Sequence, residues 1–197
     1  ISIFLRRVFN MYKAGNKIVC PLYGAGTVVE ICKEKIDKVN QEFIKIQLIH
    51  SNMELLIPID MIESNGIRNI SSDKQLSKAL NILKKDPIKM DEEDMAKIIN
   101  DLNSIIKSSN IVKCAEWMSK LIYRRRAHGQ LNANEKKLYL NFKSLICGEL
   151  ALIKDIDYKE SEKQLEKVLK KNFSLTEKDI EFLGLVEENI EEEVEEN

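Results

Sequence analysis

The stretch YKAGNKIVCPLYGAGTVVEI, Tyr12 to Ile31, holds three of the chain's seven glycines and one of its three prolines. Lys17-Ile18-Val19-Cys20 is β-branched and apolar enough for a strand, and Pro21 ends it. Gly24 and Gly26 supply turn conformations that other residues resist, after which Thr27-Val28-Val29-Glu30-Ile31 resumes an extended pattern. A strand, a tight turn and a second strand in this order open a small barrel.

Working outward, Phe43-Ile44-Lys45-Ile46-Gln47-Leu48-Ile49 alternates so that Ile44, Ile46 and Leu48 share one face of a strand. Met53 to Ile57 gives a fourth strand, with Ser51-Asn52 as the turn before it and Pro58 as its end. The polar segment Lys33 to Gln41 reads as a longer loop between the second and third strands, and Gly66 to Ile70 as the piece that closes the barrel. Several short strands with no helical period among them predict a strongly bent antiparallel sheet of Tudor or SH3-like type.

From Ser72 the period becomes helical. Leu76, Ala79, Leu80 and Leu83 form one stripe, broken at Asp86-Pro87. The acidic run Asp91-Glu92-Glu93-Asp94 suits the positive end of a second helix, whose stripe is Met95, Ile98, Ile99, Leu102, Ile105 and Ile106. A third helix carries Ile111, Cys114, Ala115, Met118, Leu121 and Ile122 and ends in Arg124-Arg125-Arg126 before His128-Gly129. Asn132 to Glu135 has the form of a capping box for a fourth, with Leu138, Phe142, Leu145 and Ile146 inward, and Tyr158 to Lys171 forms a fifth. Ser174-Leu175-Thr176-Glu177 can cap a further short helix ending near Gly184. The fold class expected is α+β: a Tudor-like barrel over residues 12–70, then an all-α domain of about five helices over 72–171. Residues 1–11 read as a non-native or disordered leader, and 172–197 as an acidic, partly disordered tail.

With 197 residues and a formal net charge of −1, overall charge discriminates little among partners. Its distribution is uneven: Glu187 to Glu196 is a negative block, whereas Lys74 to Lys143 is richer in Lys and Arg than in Asp and Glu. The block is either a solvated terminus or an arm that competes with nucleic acid for the protein's own basic face. Cys20, Cys32, Cys114 and Cys147 are scattered, with only His50 and His128 to assist them, so neither a zinc site nor a disulfide framework is expected. The apolar patch in Ile1 to Asn10 is too short to span a membrane. Gly24-Ala25-Gly26 lacks the rest of a dinucleotide loop, no GxxxxGK[ST] is present, and neither histidine stands in a nucleophile motif. A non-enzyme without cofactors is expected.

The order G-N-x-[IV]-V-x-P-x-x-G-A-G-x-V, then Ile57-Pro58 with Gly66-Ile67-Arg68, Leu131-Asn132-Ala133-Asn134-Glu135-Lys136, and Gly148-Glu149-Leu150-Ala151 resembles the CarD/CdnL family of bacterial RNA polymerase-binding transcription regulators. The N-terminal module of that family is shared with transcription-repair coupling factors. The resemblance implies a cytoplasmic, nucleoid-associated monomer that binds the RNA polymerase β subunit and promoter DNA near the upstream fork of the bubble. An adaptor that binds polymerase or another protein without productive DNA contact is the alternative.

For the barrel, the resemblance implies docking on the β subunit through an exposed strand edge, here Met53, Glu54, Leu55, Leu56 and Ile57 with Lys33, Glu34 and Lys35. Leu56 stands where many relatives carry Arg, and it is either a contact or part of the barrel core. For the helical domain, the resemblance implies backbone and minor-groove contact of low sequence specificity. Met95 takes the place of a Trp wedge in relatives, and it serves either as an apolar wedge or as core. Lys97, Arg124, Arg125, Lys136 and Lys137 are the candidate phosphate contacts. Trp117, the only Trp, reads as helix packing from its spacing to Cys114, Met118 and Leu121.

Overall fold

In the computed structural model, which describes residues 12–36, 39–51 and 53–173, an antiparallel five-stranded sheet is followed by five helices. The leader and the acidic tail beyond Phe173 lie outside the described residues, as does the helix expected from Ser174, while residues 172 and 173 extend the last helix. The strands are β1 (Lys17–Cys20), β2 (Gly24–Ile36), β3 (Val39–Leu48), β4 (Glu54–Pro58) and β5 (Arg68–Asn69), in the spatial order β4-β3-β2-β1-β5. Pro21 presets the turn from β1 to β2, which the Tyr23 N–H closes by donating to the Cys20 carbonyl at 2.8 Å. An irregularity between Val28 and Glu30 in the pairing with β3 bends β2. Tyr12, Ile18, Val28, Ile44, Ile46 and Ile59 fill the concave side.

Three expectations change. The polar segment Lys33 to Gln41 is not a long loop: β2 continues to Ile36 and β3 begins at Val39, with Lys33 opposite Glu42 and Lys35 opposite Asn40. β1 pairs only with Gly24–Thr27 of β2, and β4 only with Phe43–Gln47 of β3, so this end of the hairpin is a two-stranded ribbon. On β2 the successive residues Lys33, Glu34 and Lys35 are all exposed, so no apolar alternation marks the strand and its sequence looks like a loop. Second, Gly66 to Ile70 does not close the barrel onto β4. β5 adds to β1, and among the described residues no ladder joins β4 to β5. Third, Gly26 is not a turn residue. It lies within β2, paired with Ile18 and Leu48, where a Cβ would stand 2.3 Å from the Gln47 carbonyl oxygen. Glycine is required there by close approach of the neighbouring strand.

The helices are α1 (Asp73–Leu83), α2 (Glu92–Ser108), α3 (Ile111–His128), α4 (Ala133–Lys154) and α5 (Tyr158–Phe173). Capping boxes start α1 at Ser72 with Gln75, α2 at Asp91 with Asp94, and α4 at Asn132 with Glu135, while Asn110 caps α3. Gly129, in the left-handed region at φ 77°, ends α3. The stripe expected on α2 does not hold throughout, because the backbone at Asp101 leaves helical geometry (φ −154°, ψ 71°). The Asp101 carboxylate accepts from the Ser104 N–H at 2.9 Å and restarts the helix, so Ile98 and Ile106 stay buried while Ile99 is 73% exposed.

α4 is the spine of the molecule. Leu138, Phe142, Leu145, Ile146 and Leu150 are buried among the helices, and Val19 and Ala25 of the sheet join the same cluster. Gly148 lets α4 approach β2: a Cβ there would meet the Ala25 Cβ at 2.8 Å. Polar contacts fasten the same seam. Asn141 Nδ2 donates to the Pro21 carbonyl (2.9 Å), Lys17 Nζ donates to the Leu152 carbonyl (2.6 Å), and Arg68 pairs with Glu149.

Candidate protein and nucleic-acid interfaces

β4 lies at the end of the sheet order, so its outer backbone groups have no strand partner among the described residues. An edge of this kind is open to extension by another chain. Alternation along β4 sorts its side chains: Leu55 and Ile57 pack toward the barrel core, whereas Glu54 and Leu56 face outward. Met53 (60% exposed) and Leu56 (45% exposed) place apolar surface beside the edge. Of the two readings of Leu56, the core one is therefore excluded. Ile57 offers a partner only its backbone.

The candidate charges near this edge are held across strands. Glu54 lies 3.7 Å from Lys45 Nζ, which is also 3.3 Å from Glu30, and these contacts, the Glu30 hydrogen bond first, raise the Lys45 pKa above the ordinary lysine value. Lys33 reaches Glu42 at 3.2 Å. Glu34 and Lys35 are exposed on the ribbon. The eight candidates thus belong to two places, the β4 edge and the ribbon tip, both on the β2–β3–β4 side of the sheet.

In the helical half, the start of α2 is anchored rather than loose. The Asp91 carboxylate accepts from the Asp94 N–H at 2.8 Å, which lowers its pKa below the ordinary carboxylate value. Asp94 is buried and accepts from Lys120 Nζ through both oxygens at 2.7 Å. Lys120 in turn lies 5.2 Å from the ring centre of the half-buried Trp117. Trp117 packs against the helical core, as its spacing predicts. Sequence reading did not single out Lys120, because no local spacing relates it to a carboxylate 26 positions away.

Met95 is half-buried and packs on the same core. Lys97 is exposed and pairs with Glu93 at 2.9 Å, and the Glu93 hydrogen bond raises its pKa. Arg124 Nε donates to the buried Glu135 at 3.0 Å, tying the end of α3 to the cap of α4. Arg125 is half-buried, and Lys136 and Lys137 are exposed on the first turns of α4. The end of α3 and the start of α4 therefore gather Arg124, Lys136 and Lys137, with Arg124 also serving the fold.

The four thiols differ in setting. Cys20, Cys114 and Cys147 are buried, and Cys32 is half-buried on β2. Burial pushes the Cys20 and Cys147 thiols up to about 12, and raises that of Cys114 further. Buried thiols of this kind are packing groups. None of the described helices is long and apolar enough to cross a membrane.

This geometry agrees with comparison to known proteins. The family model of the CarD-like/TRCF RID domain matches residues 12–71, and that of the CarD C-terminal domain matches residues 78–166. The putative transcription factor YdeB of Bacillus subtilis (strain 168) is 30% identical over 152 residues, which cover 76% of this chain and 97% of YdeB. With both modules matched in order and the motif residues Ala25, Arg68, Gly148 and Glu149 found at the seam between them, the chain belongs to the CarD/CdnL family of transcription regulators.

Proposed function

We propose that the sheet docks on the β subunit of bacterial RNA polymerase through the β4 edge and the ribbon, while the helical half contacts promoter DNA near the upstream fork of the bubble. The observation that carries this reading is the outer edge of β4, without a strand partner among the described residues and with Met53 and Leu56 beside it, on a sheet fastened to the helices by the Arg68–Glu149 pair. Residues 12–70 form the polymerase-interacting domain, and 72–171 the DNA-binding domain. Each acts by differential affinity: a factor that binds the open promoter complex more tightly than the closed one shifts the population by that difference and no more. No chemical step is required of the protein.

The β4 contact is built from backbone hydrogen bonds plus the two outward apolar side chains, with Glu54 and the ribbon charges Lys33, Glu34 and Lys35 at its rim. Exposed charges contribute more to encounter rate than to affinity. On the helical side, Lys136 and Lys137 neutralise phosphates together with Lys97, Arg124 and Arg125, giving salt-sensitive binding of low sequence specificity.

The test uses the full chain. Leu56→Glu is expected to weaken capture of the β subunit at least about tenfold, the size of one lost interface anchor, and to shorten the added lifetime of open complexes, with an unchanged unfolding midpoint. Equal capture by the variant would sink the docking half. A second reading, an adaptor without productive DNA contact, draws on the internal pairing of Lys97 with Glu93 and of Arg124 with Glu135. Binding to a fork-shaped promoter fragment over a salt series separates the two.

A further inference from the structure

Along α5, over residues 158–170, every exposed position is a lysine: Lys159, Lys163, Lys167 and Lys170. Their spacings of four, four and three place them on one helical face, within an arc of about 80° and along roughly 16 Å of axis. The helix is not simply basic, since it also contains Glu160, Glu162 and Glu166, but all three are half-buried. Glu160 accepts from Gln164 Nε2 at 3.0 Å, while Glu162 and Glu166 lie close enough to Cys147 and Tyr139 of α4 to act on them electrostatically. The carboxylates flank the lysine arc and are half-buried, so the fully exposed positions of the helix carry one sign of charge. A face serving only solubility would intersperse both signs.

The position of the line is informative as well. Tyr158 reaches the Ser144 hydroxyl on α4, and Glu166 lies near Tyr139, so α5 runs antiparallel to α4. Its later turns, with Lys167 and Lys170, head toward the end of the bundle where α4 begins with Lys136 and Lys137. Lys97 and Arg124 are paired with Glu93 and Glu135.

We propose that the lysine face of α5 is a second docking surface for the sugar-phosphate backbone of duplex DNA, continuing the contact made at the start of α4. This rests on the proposed DNA-binding reading and extends the footprint beyond it. A line of exposed ammonium groups requires no base-specific geometry. It suits a phosphate strand, releases condensed counterions, and adds salt-dependent, sequence-independent affinity.

The test measures anisotropy of a labelled mixed-sequence duplex with the full chain over a salt series. Lys159→Glu/Lys167→Glu/Lys170→Glu is expected to weaken binding by about tenfold or more and to reduce the slope of log K against log salt by about 2 to 3. The triple Lys→Gln variant gives a smaller effect of the same sign, and the triple Lys→Arg variant retains both quantities. All changes are at exposed helix positions, so the unfolding midpoint stays put. If native chain binds and Lys136→Gln/Lys137→Gln loses affinity while both α5 triples retain it, the α5 surface is refuted and the DNA-binding reading stands. If native chain shows no duplex affinity, both fail. The remaining polyanion is the chain's own Glu187–Glu196 segment. An α5 effect that vanishes when the glutamates of that segment are changed to Gln would identify the face as the seat of that segment and overturn the assignment to DNA.

Discussion

Arg68 and Glu149, 81 positions apart, are joined by two hydrogen bonds of 2.6 and 3.1 Å, and the second carboxylate oxygen also accepts from the Ser71 N–H at 2.6 Å. Glu149 is fully buried. A carboxylate at such a site is tolerable only because a bidentate guanidinium and a backbone donor replace its water. The pair spans β5 and α4, and so fastens the sheet to the helices at the point where the chain crosses from one to the other.

Removing one partner therefore strands the other. Glu149→Ala is expected to cost about 3 to 5 kcal/mol of unfolding free energy, the range for breaking a buried pair, read as a lowered urea midpoint. Arg68→Met, which leaves the carboxylate buried without its cation, belongs in the same range. A loss under about 1 kcal/mol, typical of an exposed pair, would show that Glu149 reaches water.

One residue before Glu149 on α4, the Gly148–Ala25 contact predicts a sign opposite to helix propensity. Gly148→Ala would add about 1 kcal/mol in an unconstrained helix, yet a Cβ here stands 2.8 Å from the Ala25 Cβ. The expected result is a net loss of about 1 to 3 kcal/mol from overpacking. Ala25→Gly in the same chain should recover part of it, giving a favourable coupling energy in a double-mutant cycle. Strict additivity of the two changes would place the contact elsewhere.

The buried thiols set the alkaline limit. Their folded-state pKa values lie above the ordinary 9.0, so the unfolded chain loses protons first as pH rises. Stability is full below pH 9 and falls between 9 and about 12, because there the folded state holds more protons. Buried Tyr12 and Tyr139 and half-buried Tyr158, raised by desolvation, add to the same trend. Urea midpoints measured from pH 8 upward check the slope. Thiol labelling at neutral pH should find Cys32 fast and the other three limited by unfolding.

Local signals made most of the fold legible. Ser72, Asn132 and Gly129 mark helix ends through caps that act within a few residues, and Ile44, Ile46 and Leu48 show their face by alternation. What one sequence could not give were relations between distant positions. The ribbon residues Lys33, Glu34 and Lys35 are all exposed, so no apolar alternation marks them as strand. Gly26 and Gly148 owe their identity to partners on other elements, and the pairing of Lys120 with Asp94 depends on how α2 crosses α3. The candidate interfaces were legible only in part for the same reason: alternation places Leu56 outward, but the ion pairs of Lys97 and Arg124 appear only in three dimensions.

Met95 and Ile99 share a stripe in the sequence but differ in burial on the first turns of α2, before the kink at Asp101. Met95 packs on the helical core, so Met95→Ala is expected to cost about 1 to 2 kcal/mol, below the 2 to 5 of a fully buried site. Ile99 is outside, and Ile99→Ser should change stability by no more than about 0.5 kcal/mol. On the proposed reading of the helical half as DNA-facing, the binding effects reverse in order: Ile99→Glu weakens duplex affinity by adding a negative charge to the exposed surface of α2, and Met95→Ala leaves it nearly unchanged. Asp101→Ala removes the cap that restarts α2 and should expose Ile106 to faster hydrogen exchange before it alters binding. If Met95→Ala instead lowers affinity at constant stability, Met95 is the apolar wedge, and its packing in the free protein is given up on DNA.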